Sequence, residues 1–89
     1  MRYTFGQAEA FYWVARLGGF RAAAQHLNLS QPTVSLRIKE LERILGGELF
    51  DRSLYRPVPT TLGNAIYVLG GGAQYSGRET SAALDKFEI

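Results

Sequence analysis

The residues best equipped for chemistry stand in one short run. Gln31, Thr33 and Ser35 supply an amide and two hydroxyls, interleaved with Pro32 and followed by Leu36. A glutamine amide can pair bidentately with adenine, a small hydroxyl can bond either base edge, and apolar groups suit a thymine methyl. Lys39 and Arg43 follow and can reach phosphates, which position a protein on a duplex while base edges specify the site. Bond-making chemistry has no comparable set. There is no cysteine and one histidine, His26. That excludes disulfides, a thiolate nucleophile and a Cys-based zinc site. Gly70-Gly71-Gly72 lacks the lysine and hydroxyl of a phosphate-binding loop. The expectation is a binding module and not an enzyme, with no metal and no cofactor.

Such a run acts only if helices hold it outward. Thr4 and Gln7 have the spacing of a capping box, and Ala8, Phe11, Tyr12 and Ala15 follow at helical spacing until Gly18-Gly19. A first helix over about 4–17 is predicted. Residues 20–27 form a short second helix with Ala23, Ala24 and Leu27 on one side. Asn28 is the residue in the following turn most able to become left-handed. Ser30 then caps a third helix, with Pro32 tolerated in its first turn. Val34, Ile38, Leu41 and Leu45 make its core stripe, and Gly46-Gly47 ends it. Residues 48–53 and 56–60 read as a two-stranded hairpin, with Leu54, Tyr55 and Arg56 at or near its tip. Pro57 and Pro59 confine it to a solvent edge. Thr60 or Thr61 starts a last helix. Its seam, Leu62, Ile66, Leu69, Ala73, Ser76, Thr80, Ala83 and Phe87, has heptad spacing. The glycine triplet weakens its second half, each internal glycine costing about 1 kcal/mol relative to alanine.

Eighty-nine residues allow one compact unit with no large internal cavity. The net charge of +2 hides an asymmetry. Residues 1–60 hold eight cations against five acids, residues 61–89 two against three, and residues 20–39 hold Arg21, Arg37 and Lys39 with no acid. An acid-free basic stretch is a candidate polyanion footprint. The longest apolar run is far below the ~18 residues that span a bilayer. No apolar stretch follows Met1-Arg2 as a secretion signal would. Cytoplasmic residence is the expectation.

Two helices joined by a tight turn, then a basic hairpin, give a mainly α fold: a winged helix-turn-helix of three helices and a two-stranded wing, followed by a long C-terminal linker helix. The second helix of such a pair enters the major groove of double-stranded DNA. A winged fold that binds a partner protein through the heptad seam and Leu36 is the alternative.

The residues from Ser30 onward carry a resemblance. Ser30-Gln31-Pro32-Thr33-Val34-Ser35, Ile38, Leu41-Glu42, Leu45-Gly46, Leu49-Phe50 and Arg52 resemble the N-terminal signature of LysR-type transcriptional regulators. Gly18-Gly19-Phe20, Ala23-Ala24 with Leu27, and Thr60-Thr61-Leu62-Gly63 fall in the same order. The likeness is close over residues 4–67 and loose beyond. It implies a DNA-binding domain at 1–60 and a dimerising linker helix at 61–89, with the family's larger ligand-sensing domain outside this chain. It also implies a bacterial, nucleoid-associated regulator that forms a homodimer, and a tetramer in a full-length form. A small-molecule inducer would act only through a sensing domain.

By position, the resemblance puts Gln31, Pro32, Thr33 and Ser35 in the base-reading turn of a recognition helix at about 30–45. Ser30, Leu36, Arg37 and Lys39 flank it. Arg52 and Arg56 fall at the base and tip of a wing at 48–60, on the minor groove or flanking phosphates, and Arg21 falls near a phosphate strand. Leu62, Ile66, Leu69, Ala73, Thr80 and Phe87 would carry dimerisation. Gly19 and Arg21 depart from the family's usual hydroxyl residues, and Leu36 from its frequent arginine. Plainer roles are also expected: Ser30 as a cap, Arg52 paired with Glu48 or Asp51, His26 at a helix end. Phe11, Tyr12 and Trp13 are expected in the core or a dimer face, and Phe5, Phe20 and Phe50 in the core.

Overall fold

The computed structural model describes residues 3–53, 55–69 and 84. Its elements are α1 (Phe5–Leu17), α2 (Phe20–Leu27), α3 (Gln31–Leu45), β1 (Phe50–Asp51), β2 (Val58–Pro59) and α4 (Thr61–Leu69). The architecture is the expected winged helix-turn-helix. Helix α1 starts at the expected capping box. Gln7 N–H donates to Thr4 Oγ1 at 3.1 Å, and Thr4 N–H donates to Gln7 Oε1 at 2.9 Å. Gly18, at φ 77°, ends it in the left-handed conformation that favours glycine. Asn28 takes the same conformation, at φ 57°, and turns the chain from α2 into α3.

Three helices close on one core. Phe11 and Val14 of α1, Ala23 and Ala24 of α2, and Val34, Ile38 and Leu41 of α3 are buried. Leu49, Phe50 and Ile66 join them, as does Leu84 from the C-terminal segment. Phe50 packs against Phe11 and Phe20, with ring centroids 5.5 and 5.9 Å away. The wing root is thereby seated on α1 and α2. Phe5 corrects the expectation of a core aromatic. It opens α1 off the buried arc of Gln7, Phe11 and Val14 and is 46% exposed, while Tyr3 takes a buried place.

The wing ladder is antiparallel and only two residues long on each strand, pairing Phe50 with Pro59 and Asp51 with Val58. It is shorter than the hairpin expected from 48–60, because Pro57 and Pro59 cannot donate to a ladder. Thr60 continues the pairing: its N–H donates to the Leu49 carbonyl at 3.0 Å. Its hydroxyl then donates to the Glu48 carbonyl at 2.6 Å and accepts from Gly63 N–H at 3.1 Å, capping α4.

Helix α4 is described over Thr61–Leu69; the rest of the long helix expected over 61–89, Leu84 apart, lies outside the described residues. Seam positions Ala73, Ser76, Thr80, Ala83 and Phe87 lie outside the described residues. Of the rest, Ile66 is fully buried in the chain's own core. Leu62 is half-buried against the same core, and Leu69 is exposed. A Cβ at Gly63 would overlap the Leu49 carbonyl oxygen, so the close seat of α4 on the wing root requires glycine there.

Candidate nucleic-acid interface

Ser30 and Pro32 set the first turn of α3 before anything packs on it. Ser30 Oγ accepts from Thr33 N–H at 3.2 Å and shares a 2.8 Å hydrogen bond with Thr33 Oγ1. The turn is stiffened by this cap, worth about 1 kcal/mol. Behind it Val34 and Ile38 are buried, so the opposite side must face water. Gln31 and Pro32 are exposed there, Thr33 and Ser35 half-buried, and Leu36 is 57% exposed. A large apolar side chain held out beside amides and hydroxyls suits a groove wall with methyl groups. Lys39 lies exposed one turn on.

An open groove of about 600 Å³ runs from this turn to the wing. Gly18, Gly19 and Arg21 line it from the start of α2, Tyr55 and Arg56 from the wing, and Gln31 from the start of α3. Arg21, Arg56 and Lys39 are exposed and, among the described residues, carry no carboxylate partner. The sequence reading thus named three residues that meet here: Arg21, Gln31 and Arg56. It missed Tyr55, whose side chain is fully exposed at the wing tip. An aromatic between Leu54 and Arg56 in a hairpin tip was the available signal.

Arg37 and Arg52, two further expected contacts, have neighbours within the chain. Arg37 is half-buried and packs on α1; its Nη1 would lie 2.9 Å from a Cβ on Gly6. Arg52 gives its guanidinium fork to Glu42, Nη2 to Oε1 at 3.2 Å and Nη1 to Oε2 at 3.3 Å. The expected partners Glu48 and Asp51 lose because Glu42, one turn before the end of α3, faces the wing root. Glu42 Oε2 also accepts from Leu49 N–H at 2.7 Å and Phe50 N–H at 3.4 Å. Asp51 instead accepts from Ser53 N–H and Oγ, at 2.9 and 2.6 Å. Those bonds hold its carboxyl below the usual carboxylate range.

A separate aromatic cluster joins α1, α2 and α4. His26 stacks on Trp13 with centroids 3.8 Å apart, and the Arg16 guanidinium lies 5.2 Å from the same ring. Tyr12 and Tyr67 pack beside them at 5.8 Å. Burial pushes the Tyr67 phenol up, the neighbouring Tyr12 adds to this, and Arg16 opposes it. Among the described residues no group of acids and histidines could hold a metal ion, and no helix is long and apolar enough to cross a membrane.

Known proteins share this fold. A probable RuBisCO transcriptional regulator of Porphyra purpurea is 35% identical over 86 residues, covering 97% of this chain and 27% of that protein. The chain therefore spans about a quarter of the length of the curated relatives it matches. DarR of Vibrio fischeri, solved in complex with DNA, is 27% identical with a TM-score of 0.76, covering 97% of this chain and 27% of that one. The CbnR_DBD–DNA complex gives 29% identity and a TM-score of 0.70, covering 93% of this chain and 84% of that one. The family model for bacterial regulatory helix-turn-helix proteins matches residues 5–64, more than half of the sequence, and the chain belongs to the LysR family.

Proposed function

We propose that this chain is the DNA-binding part of a bacterial transcriptional regulator that recognises a specific duplex sequence. The first turn of α3 enters the major groove. Gln31, Thr33 and Ser35 meet base edges, while Pro32 and Leu36 make apolar contact. Lys39, Arg21 and Arg56 take phosphates on either side, and the wing tip follows the minor groove or the flanking backbone. Two copies, joined through residues 61–89, would place their α3 helices in major grooves about 34 Å or a multiple apart. The whole regulator acts in the cytoplasm, with a sensing domain supplying any inducer response.

The observation that carries this reading is the groove itself. It sets cations that have no carboxylate partner among the described residues on both sides of an exposed, polar helix start. A nucleic-acid backbone needs such a site, whereas a protein partner would favour an apolar patch. The DNA complexes of CbnR and DarR support the same reading. Selection from a random duplex pool, followed by binding at several salt concentrations, tests it. Enrichment of one motif and a steep fall of log K with log salt are expected, because phosphate contacts release counterions. No retention on DNA at ~50 mM salt, where electrostatic binding is strong, would favour the protein-binding alternative.

A further inference from the structure

We infer that Glu42 and Arg52 are positioning residues that fix the wing against the recognition helix, and that Arg52 acts through this latch and not as a phosphate contact. The inference rests on the DNA-binding reading and deepens it.

A ladder of two residue pairs cannot orient a wing; isolated two-stranded hairpins are marginal at best. Orientation must come from contacts beyond the ladder. Glu42 supplies them. Its carboxylate accepts from two backbone N–H groups at the start of β1 and from both arms of the Arg52 fork at its end. Leu49 and Phe50 are buried, so without Glu42 their N–H groups lose a partner that water does not readily replace. The carboxylate is itself largely enclosed, its side chain 11% exposed, which limits solvent screening. The Arg52 guanidinium also lies 5.3 Å from the Phe20 ring. It therefore lies against the start of α2, which lines the groove, and ties it to the end of α3 and the end of β1. Glu42 and Gln31 share one rigid helix, about three turns apart. The latch thus sets the distance from base-reading turn to wing tip, and hence how strictly flanking contacts follow the central half-site.

Salt dependence and the geometry of the bound complex test this. The 89-residue chain is compared with Arg52→Lys, Arg52→Ala, Glu42→Gln and Arg56→Ala on the pool-selected duplex and on a short random-sequence duplex. Lysine keeps the charge but not the planar fork. Arg52→Lys should bind the selected duplex about tenfold more weakly, the scale of one lost charge-assisted hydrogen bond, with an unchanged salt slope. Arg52→Ala should also keep the slope, while Arg56→Ala lowers it by about 0.9, one phosphate contact. Wild-type affinity in Arg52→Lys, or a slope reduced in Arg52→Ala as in Arg56→Ala, would overturn the assignment. A variant that folds poorly does not escape, because hydroxyl-radical footprints are read on the bound fraction alone. Glu42→Gln should lose flank protection relative to central protection; an unchanged ratio overturns the latch. Failure of the parent chain to bind DNA would instead sink the DNA-binding reading.

Discussion

The first turn of α3 and the wing face the same groove but are held by opposite means. The α3 turn is set from within. Ser30 caps it, Pro32 fixes its entry, and Val34, Ile38 and Leu41 nail the helix to the core. The wing has two ladder pairs and a tip whose residues Ser53, Tyr55 and Arg56 are exposed. It is held at its root, by Phe50 in the core, Glu42 on its backbone and Gly63 beneath Leu49. One reading element is therefore part of the folding unit, and the other is an attachment to it. Damage behind α3 should unfold the domain, whereas damage at the wing root should leave it folded and alter how it grips DNA.

The largest effect expected is Ile38→Ala. It removes a fully buried side chain behind the reading turn and should cost about 2–5 kcal/mol, a large share of the stability of a small domain. Chemical denaturation followed by Trp13 fluorescence measures it; a loss within noise would mean that α3 is not seated on the core. Gly63→Ala comes next. The clash with the Leu49 carbonyl must push α4 or the wing root away, at about 1–3 kcal/mol. Amide exchange should rise in β1, β2 and α4 before α1–α3. Uniform exchange across the chain would erase the distinction between folding unit and attachment. Ser30→Ala should cost about 1 kcal/mol by removing the cap, and it frees the Thr33 hydroxyl. The helix start should fray in amide exchange while the wing stays protected.

The smallest effect concerns pH. Asp51 has a lowered folded-state pKa, so its contribution to the turn at Ser53 is present above the unfolded value and lost as pH falls through the folded one. The Ser53 amide shift should titrate with a midpoint below about 3.9, the unperturbed aspartate value. A midpoint at or above that value would remove Asp51 from the wing turn.

What the sequence made legible divides along the same line. Thr4 with Gln7, Asn28, and Ser30 with Pro32 are local signals whose bonds close within a few residues, and each stands where the spacing predicted. Glu42 reaches Arg52 ten positions on, across the end of α3 and just past β1. Nothing in helical periodicity distinguishes it from Glu40, which is half-buried on the same helix without a partner among the described residues. Gly63 read as a family match and not as a close approach, because the backbone it touches lies fourteen positions back at Leu49. Phe5 misled for the converse reason: its type suits a core, but its place in the first turn of α1 points it away. The groove cations were nameable singly, while their meeting across α2, α3 and the wing depends on the tertiary fold.

Amide chemical-shift mapping with the pool-selected duplex tests the central claim most directly. The largest changes are predicted at residues 31–36 of α3, at Arg21 and at residues 55–57 of the wing, with little at Trp13, His26 and Tyr67. The reverse pattern, changes centred on the aromatic cluster with the first turn of α3 unmoved, would contradict the account.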